Sequence, residues 1–415
     1  MNDRAMAARL LFLLLLSAAA LQAQGDEAGE PPLRWWKGNL HTHTLWSDGN
    51  DFPEMVADWY RRRGWNFLAL SDHNVMAAGE RWMALDKIVA RQAPRALDAY
   101  LSRFGESWVE TRKGGTDGQA TEVRLKPLDE FRHLVEESGR FLLIPAEEVT
   151  DSFEKRPIHM NASNLREPIA PQGGGSAREV IERNLAAILE QEKRLGRPIL
   201  AHLNHPNFQW GVSIDDFARV LDEKFFEVYN GHPQTNTAGD RDHPDTETIW
   251  DRVSAIRLRE FGAPPIFGIA TDDSHHYHQR SVTSYSRPGR GWVMVRSRRL
   301  TPESLIRAMR AGDFYASTGV TLSEISFDAE GRRLRVGVLA REGETYRIEF
   351  RGTREEGEPG EIFEVIEGPT ATHEMAEDAL YVRAVVTSSA AAEDPAVPGE
   401  LQKAWTEPVG ARNRR

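Results

Sequence analysis

The sequence predicts an α/β fold, with a largely parallel sheet and flanking helices over residues 25–319, followed by a small all-β, sandwich-like domain over residues 320–415. Three observations predict it. Short apolar runs of strand length alternate with longer amphipathic stretches from residue 35 to about 318, the pattern of successive βα units. After Thr318 the chain changes to short alternating or β-branched runs separated by Gly and charge-rich turns. Ten of the thirteen histidines fall at or just beyond the C-terminal ends of predicted strands, the ends that converge on one face when a parallel α/β sheet closes.

The predicted strands are, in order, 36–43, 66–71, 141–146, 157–161, 198–204, 225–230 and 266–271, with 292–295 as a further strand late in the domain. Helices lie between most of them. Ser176 with Glu179 forms a capping box ahead of a helix over 180–195, which Gly196 and Pro198 close. Thr301 suits an N-cap, Pro302 suits the first helical position because its missing N–H would be unpaired there anyway, and Gly312 ends that helix. Residues 75–138 form an insertion longer than a normal βα connection, mostly helical with a Gly-rich break at 114–118, and a candidate lid. Beyond Thr318, strands are expected at 322–327, 334–338, 346–350, 362–365 and 381–387; with His373 alone among them, this part is expected to have a structural or recognition role.

The 415 residues carry 63 Asp and Glu against 52 Lys and Arg, a net charge of −11 that argues against non-specific nucleic-acid binding. With 40% hydrophobic and 28% charged residues, the composition excludes a disordered chain or a multi-span membrane fold. The lack of cysteine excludes thiolate metal sites, iron–sulfur clusters, disulfides and cysteine nucleophiles, so any metal must be held by His, Asp and Glu. Arg4 and Arg9, the apolar run 10–16 and the small residues 17–20 read as a secretory signal over residues 1–24, cleaved near Ala23. That run is shorter than the ~20 residues a membrane span needs. The expected location is therefore periplasmic or secreted, with no stable membrane anchor.

The chemistry-bearing residues sit at the strand ends. His41 and His43 are two apart, and on a strand both point to one face, as two ligands of one ion require; Asp48 follows in a Ser-Asp-Gly turn. The apolar strand before Ser71 ends in Asp72, His73 and Asn74, which fits an end facing a polar cavity. Glu147 and Glu148 are adjacent carboxylates that repel unless a cation or proton lies between them; one is expected to ligate metal and the other to be solvated. His159 ends the next predicted strand, His202 and His205 the one after, and Asp272, Asp273, His275 and His276 pair carboxylate with imidazole again. The residues alone leave open which of Glu147 and Glu148, of His202 and His205, and of Asp272 and Asp273 serves.

These residues resemble the PHP (polymerase and histidinol phosphatase) metal-dependent hydrolases. The likeness covers about residues 35–318, through Leu40-His41-Thr42-His43 with Asp48, Ser71-Asp72-His73-Asn74, Pro145-Ala146-Glu147-Glu148-Val149, His159, His205-Pro206 and Asp273-Ser274-His275. It implies a distorted, TIM-like (β/α)7 barrel binding two or three divalent ions, with His41, His43, Asp48, His73, Glu148, His159, His205, Asp273 and His275 as ligands. The family's Gly-x-Glu element is Ala146-Glu147-Glu148 here, which selects Glu148 with Glu147 as runner-up; His-Pro selects His205 over His202, and Asp-x-His selects Asp273 over Asp272. An all-nitrogen and oxygen set suits Zn, Mn or Fe.

The implied reaction is hydrolysis of a small organic phosphate by a metal-activated water. An ester, carbamate or amide is the alternative substrate, and a non-catalytic metal-containing binding protein is the reading from another class. Asp72 is a candidate proton acceptor or partner of His73, and Arg280 and Arg290 are candidates to hold a phosphate with a planar fork. A small-molecule substrate and no nucleic acid are the expected partners.

Overall fold

The computed structural model describes residues 30–115, 118–280 and 283–411. The secretory signal expected at residues 1–24 lies outside the described residues.

The chain opens with β1 (Arg34–Asn39), α1 (Pro53–Arg62) and β2 (Phe67–Leu70), a βαβ unit whose strands pair in parallel. Pro53 starts the helix, with Glu54 in its first turn and Arg61 and Arg62 in its last, each favourable to the helix dipole. The insertion follows as β3 (Arg81–Ala84), α2 (Leu85–Ala90), α3 (Ala96–Phe104), β4 (Thr111–Gly114), β5 (Ala120–Leu125) and α4 (Leu128–Val135). It is less helical than expected. Three of its elements form an antiparallel sheet in the order β3-β5-β4, and the Gly-rich break is the β4–β5 turn, where Gly115 and Gly118 adopt positive φ. Its apolar side packs Met83, Ile88, Tyr100 and Val123 against Leu45, Trp46 and Phe52, so the insertion backs the loop that carries Asp48.

β6 (Leu142–Phe153) pairs in parallel with β2, runs past its predicted end and folds back through Glu154 and Lys155, both at positive φ, into β7 (Arg156–Ser163). β7 is antiparallel to β6 and to β8 (Leu200–Leu203), so the parallel run the sequence predicts contains one reversed strand. Between them α5 (Ala177–Leu195) begins where Ser176 Oγ accepts from Glu179 N and ends at Gly196 in the left-handed conformation. α6 (Ile214–Ala218), β9 (Phe225–Asn230), α7 (Thr246–Phe261) and β10 (Phe267–Thr271) follow, with β8, β9 and β10 parallel. These strands stand in the order β10-β9-β8-β7-β6-β2-β1. The two outermost chains meet just past their ends, where Asp273 N donates to His41 O and His43 N to Ser274 O, both at 3.0 Å.

β11 (Trp292–Ser297), α8 (Pro302–Arg310) and β12 (Phe314–Ser317) come next, α8 capped by Thr301 Oγ1 on Ser304 N. The chain then becomes all β: β13 (Leu322–Asp328), β14 (Arg333–Val338), β15 (Tyr346–Arg354), β16 (Glu361–Glu367), β17 (Thr370–Glu374), β18 (Ala379–Ala391) and β19 (Leu401–Thr406). The central sheet continues from β1 through β11-β12-β19-β18-β15-β16, thirteen strands in all among the described residues, while β13-β14-β17 form a second layer over it. Leu334, Val336, Ile348, Phe350, Val382 and Val386 fill the space between these layers.

Two buried polar contacts join the halves. Asp251 of α7 takes Arg383 of β18 through Nε (2.9 Å) and Nη2 (2.7 Å) and also accepts from Tyr381 Oη (2.8 Å). Glu407, just past β19, accepts from Gly268 N of β10 at 2.9 Å. An apolar cluster takes Trp36, Phe67, Ile144, Leu200, Phe225 and Ile269, one from each of six central strands, and Leu305 and Ile306 of α8. Along the same strands, the polar residues come next.

Candidate metal centre

His41 and His43 follow β1, Asp48 comes from the loop after them, His73 follows β2, and Glu148 lies within β6. His159 lies in β7, His205 two residues past β8, and Asp273 and His275 just past β10. The fold brings these nine side chains into overlapping groups of three or four potential ligands. His159 stands near the start of a reversed strand, not at the end of a parallel one as the sequence suggests, and the reversal still delivers it to the same face.

The loop bearing Asp48 is held from below. Asp72 accepts from Thr44 N (2.8 Å), Thr44 Oγ1 (2.8 Å), Ser47 N (3.0 Å) and Ser47 Oγ (2.6 Å). Asp72, a candidate proton acceptor or partner of His73, is buried with these four donors of the loop on its carboxylate, contacts that position the loop. A Cβ on Gly49 would meet the His43 carbonyl at 2.6 Å, so only glycine lets the loop return this close.

Glu148 is the hub. Its Oε2 lies 2.9 Å from His73 Nδ1, 3.2 Å from His43 Nε2 and 3.3 Å from His41 Nε2; its Oε1 lies 3.0 Å from His159 Nδ1 and 3.5 Å from His205 Nε2. Asp273 Oδ1 stands 3.1 Å from His43 Nε2 and 3.3 Å from His41 Nε2. Asp48, half exposed, faces the Nε2 of His73 (3.5 Å) and of His275 (3.3 Å) and the Nδ1 of His43 (3.4 Å). Asp273 has φ 48, a left-handed conformation that costs a non-glycine residue about 1–3 kcal/mol and separates its side chain from that of Asp272.

These residues fit a divalent cation. Two ligand atoms ~2.1 Å from one ion lie roughly 3.0–3.4 Å apart at octahedral or tetrahedral angles, close to the spacings just given. Glu148 Oε2 and His159 Nδ1 are buried yet take part in no hydrogen bond among the described residues, although each has a polar atom within 3.0 Å. Their lone pairs are aimed into shared space and not along a hydrogen bond. Burial opposes every charge here, yet the surrounding imidazoles, led by His73 and His41, hold Glu148 well below the usual carboxylate range. Asp273 is lowered in the same way, chiefly by His41 and His43. Against the same desolvation, Glu148 and Asp48 raise His73 to about 11, and His43 rises to about 8. The carboxylates of the centre are thus held ionised among the imidazoles.

The alternatives lie elsewhere. Glu147 points to the opposite face of β6, as strand alternation requires, where it accepts from Ile169 N at 2.9 Å. It is fully buried, contrary to the solvated position expected for one of the pair, and burial pushes its carboxyl up to about 7. Asp272 accepts from Gly289 N, Gly291 N and Tyr60 Oη, a structural role. His202 is buried against Glu227, 3.7 Å away, in a group with His41 and outside the Glu148 shell. Arg280 is exposed. Arg290 is buried and committed: Nη1 donates to Gly231 O (2.8 Å), Nε to Asp394 O (3.0 Å), and Nη2 meets Asp394 Oδ1 (3.5 Å), so it is not the phosphate fork expected.

Sequence reasoning missed Glu227. Its Oε1 accepts from His41 Nδ1 (2.7 Å) and Thr271 Oγ1 (2.7 Å), and its Oε2 from His205 N (2.8 Å) and Asn230 Nδ2 (2.8 Å). A carboxylate only accepts, so His41 Nδ1 carries a proton toward Glu227, and Nε2 is the nitrogen left for a cation in the centre. The signal was a single acid inside a strand buried throughout, which needs a partner. Arg91 was also missed; its Nη1 donates to Gly49 O at 2.9 Å, beside Asp48.

No family model matches the chain, and no curated protein matches it. Among solved structures, it is similar to a two-domain protein from Bacteroides vulgatus containing a predicted PHP-like metal-dependent phosphoesterase, with 14% identity over 90% of this chain and 95% of that one and a TM-score of 0.40. It is also similar to an amidohydrolase from Chromobacterium violaceum with bound sulfate and no metal, with 15% identity over 58% of this chain and 88% of that one and a TM-score of 0.27.

Proposed function

We propose that this chain is a metal-dependent hydrolase, a phosphoesterase acting on a small organic phosphate in the periplasm or outside the cell. The observation that carries the reading is the buried Glu148 carboxylate, with ring nitrogens of five histidines around its two oxygens and one oxygen without a hydrogen bond. His41, His43, Asp48, His73, Glu148, His159, His205, Asp273 and His275 would hold two or three Zn, Mn or Fe ions, and the central strands would be the distorted (β/α)7 barrel that the PHP resemblance implies. Ions in such a site polarise an ester oxygen and lower the pKa of water.

The chain's own residues do the remaining work. Glu227 keeps a proton of His41 on Nδ1, Asp72 holds the loop that presents Asp48, and Arg91 braces that same loop through Gly49 O. An ester, carbamate or amide substrate is the second reading. It is favoured by the engagement of Arg290 with Asp394, which removes one of the arginines expected to hold a phosphate.

The test begins with elemental analysis of protein purified without chelator or His tag, beside His41→Ala and Asp273→Ala. Protein reloaded with Zn, Mn or Fe is then offered phosphate mono- and diesters and, separately, aryl esters, carbamates and amides. Metal that falls in both variants, with phosphate released from an ester, supports the reading. Full metal occupancy with only carbonyl substrates turned over moves it to the second, and no metal with any ion sinks both.

A further inference from the structure

We propose that the outer face of β1 carries a second binding site, separate from the metal centre, for a small organic anion with a flat apolar body. A cleft of about 660 Å³ opens there between α1, the loop leading into β11 and the 392–394 turn. Lys37, Arg63, Trp59, Trp65 and Trp292 line it. Strand alternation turns Lys37 away from the inner apolar cluster that takes its neighbour Trp36, whereas Glu148 and Glu227 share the strand face of Ala146 and Phe225 in that cluster, so the cleft and the metal centre lie on different sides of the sheet.

Of the cations lining this cleft, Arg287 and Arg290 pair with Asp394 and Arg341 with Glu344, whereas Lys37 and Arg63 form no ion pair among the described residues. Lys37 Nζ stands 3.6 Å from the ring centroid of Trp292 and 4.3 Å from that of Trp65 and forms no ion pair among the described residues, although Asp272 and Glu393 act on it from further off. Burial draws its pKa down to about 8. The Arg63 guanidinium lies over Trp59, 4.1 Å from the ring centroid, and likewise meets no carboxylate among the described residues. Burial and the like charges of Arg62 and Arg287 disfavour its charged form. Asp394 lines the cleft but is engaged by Arg287 (3.1 Å) and Arg290 (3.5 Å); Glu393 is exposed at the rim.

The indoles hold Lys37 and Arg63 by cation–π attraction and leave their charge without a carboxylate, so an anion entering the cleft meets two cations that no acid neutralises. Lys37 and Arg63 match a carboxylate, sulfonate or phosphate head group. The half-buried indoles of Trp59 and Trp292, each with one face against a cation of the cleft, supply the apolar surface for a planar body.

The test is calorimetric titration of the full-length, metal-loaded protein with 1-naphthoate and with 1-naphthamide, its neutral counterpart. One equivalent of naphthoate should bind, about tenfold or more tighter than the amide. Its affinity should fall by about tenfold or more in Lys37→Met and in Arg63→Gln and stay unchanged in Asp273→Ala. Arg63 is exposed, so its variant keeps the test intact if the Lys37 variant does not fold. Equal affinity for acid and amide, no binding at millimolar concentration, unchanged affinity in Arg63→Gln, or loss of binding in folded Asp273→Ala would each overturn the proposal.

Discussion

Replacing Glu227 by glutamine asks whether the centre depends on a carboxylate that lies behind a ligand. Four donors converge on Glu227: His41 Nδ1 and Thr271 Oγ1 on one oxygen, His205 N and Asn230 Nδ2 on the other. Glutamine offers one oxygen and one NH2, so one pair of donors must face N–H. With the NH2 toward His205 N and Asn230, donor meets donor in a buried site, at a cost of about 1–3 kcal/mol. With the NH2 toward His41, Nδ1 must accept, and the ring proton moves to Nε2, the nitrogen 3.3 Å from both Glu148 and Asp273, where it blocks ligation. Either way, metal affinity should fall by about 10–100-fold, the usual effect of losing such a partner. The assay is metal retained in equilibrium dialysis against graded free Zn or Mn, with circular dichroism to confirm the fold and hydrolysis measured at limiting and saturating metal. Activity should recover at saturating metal. Wild-type affinity in a folded Glu227→Gln protein would refute the reasoning, because neither the opposed donors nor the displaced ring proton would then matter to the centre.

Asp72→Ala should release the loop at Thr44 and Ser47, cost about 1–3 kcal/mol, and lower the metal held through Asp48, His73 and His275 more than that around Glu148; unchanged metal equivalents would count against it. Asp251→Ala strands Arg383 in the interface between the halves and should cost about 3–5 kcal/mol in denaturant melts, whereas a surface pair would cost almost nothing. Glu54, between Tyr100 and Trp108, has its carboxyl pushed up to about 7 by burial. The folded form therefore holds that proton more tightly than the unfolded form. Its contribution to stability is full below about pH 4.5 and is lost as pH rises through 7, up to ~3 kcal/mol in total. Glu54→Gln should flatten the fall in stability between pH 5 and pH 8, and parallel pH profiles for the two proteins would exclude this account.

What the sequence discloses, it discloses through interruptions of pattern. An apolar run such as 67–70 that stops at Ser71, Asp72 and His73 has a polar destination, and His41 and His43 are bound by their spacing to share a face. Strand direction is not written in that pattern. Residues 157–161 read the same ascending or descending, and only the turn at Glu154 and Lys155 makes β7 descend. Arg290 shows the other limit. Its setting, Pro288-Gly289-Arg290-Gly291, suggests a flexible anion loop, yet its partner Asp394 lies 104 residues away and nothing local announces it. Asp72 was visible as a polar residue in the right place, while its four bonds depend on how the next loop over happens to fold.

The continuity of the sheet also sets a timetable. Trp36 of β1 bonds through Nε1 to Ser297 O, 261 residues later, and Gly268 N of β10 waits for Glu407, 139 residues further on. Pairings so distant in the chain form slowly and only after their second partner has been synthesised. A growing chain therefore carries the histidines and carboxylates of the candidate centre long before the sheet around them can close, and β19 is the strand that closes it. Products truncated before β19 would leave β12 and β18 with open edges, a template for pairing with another chain.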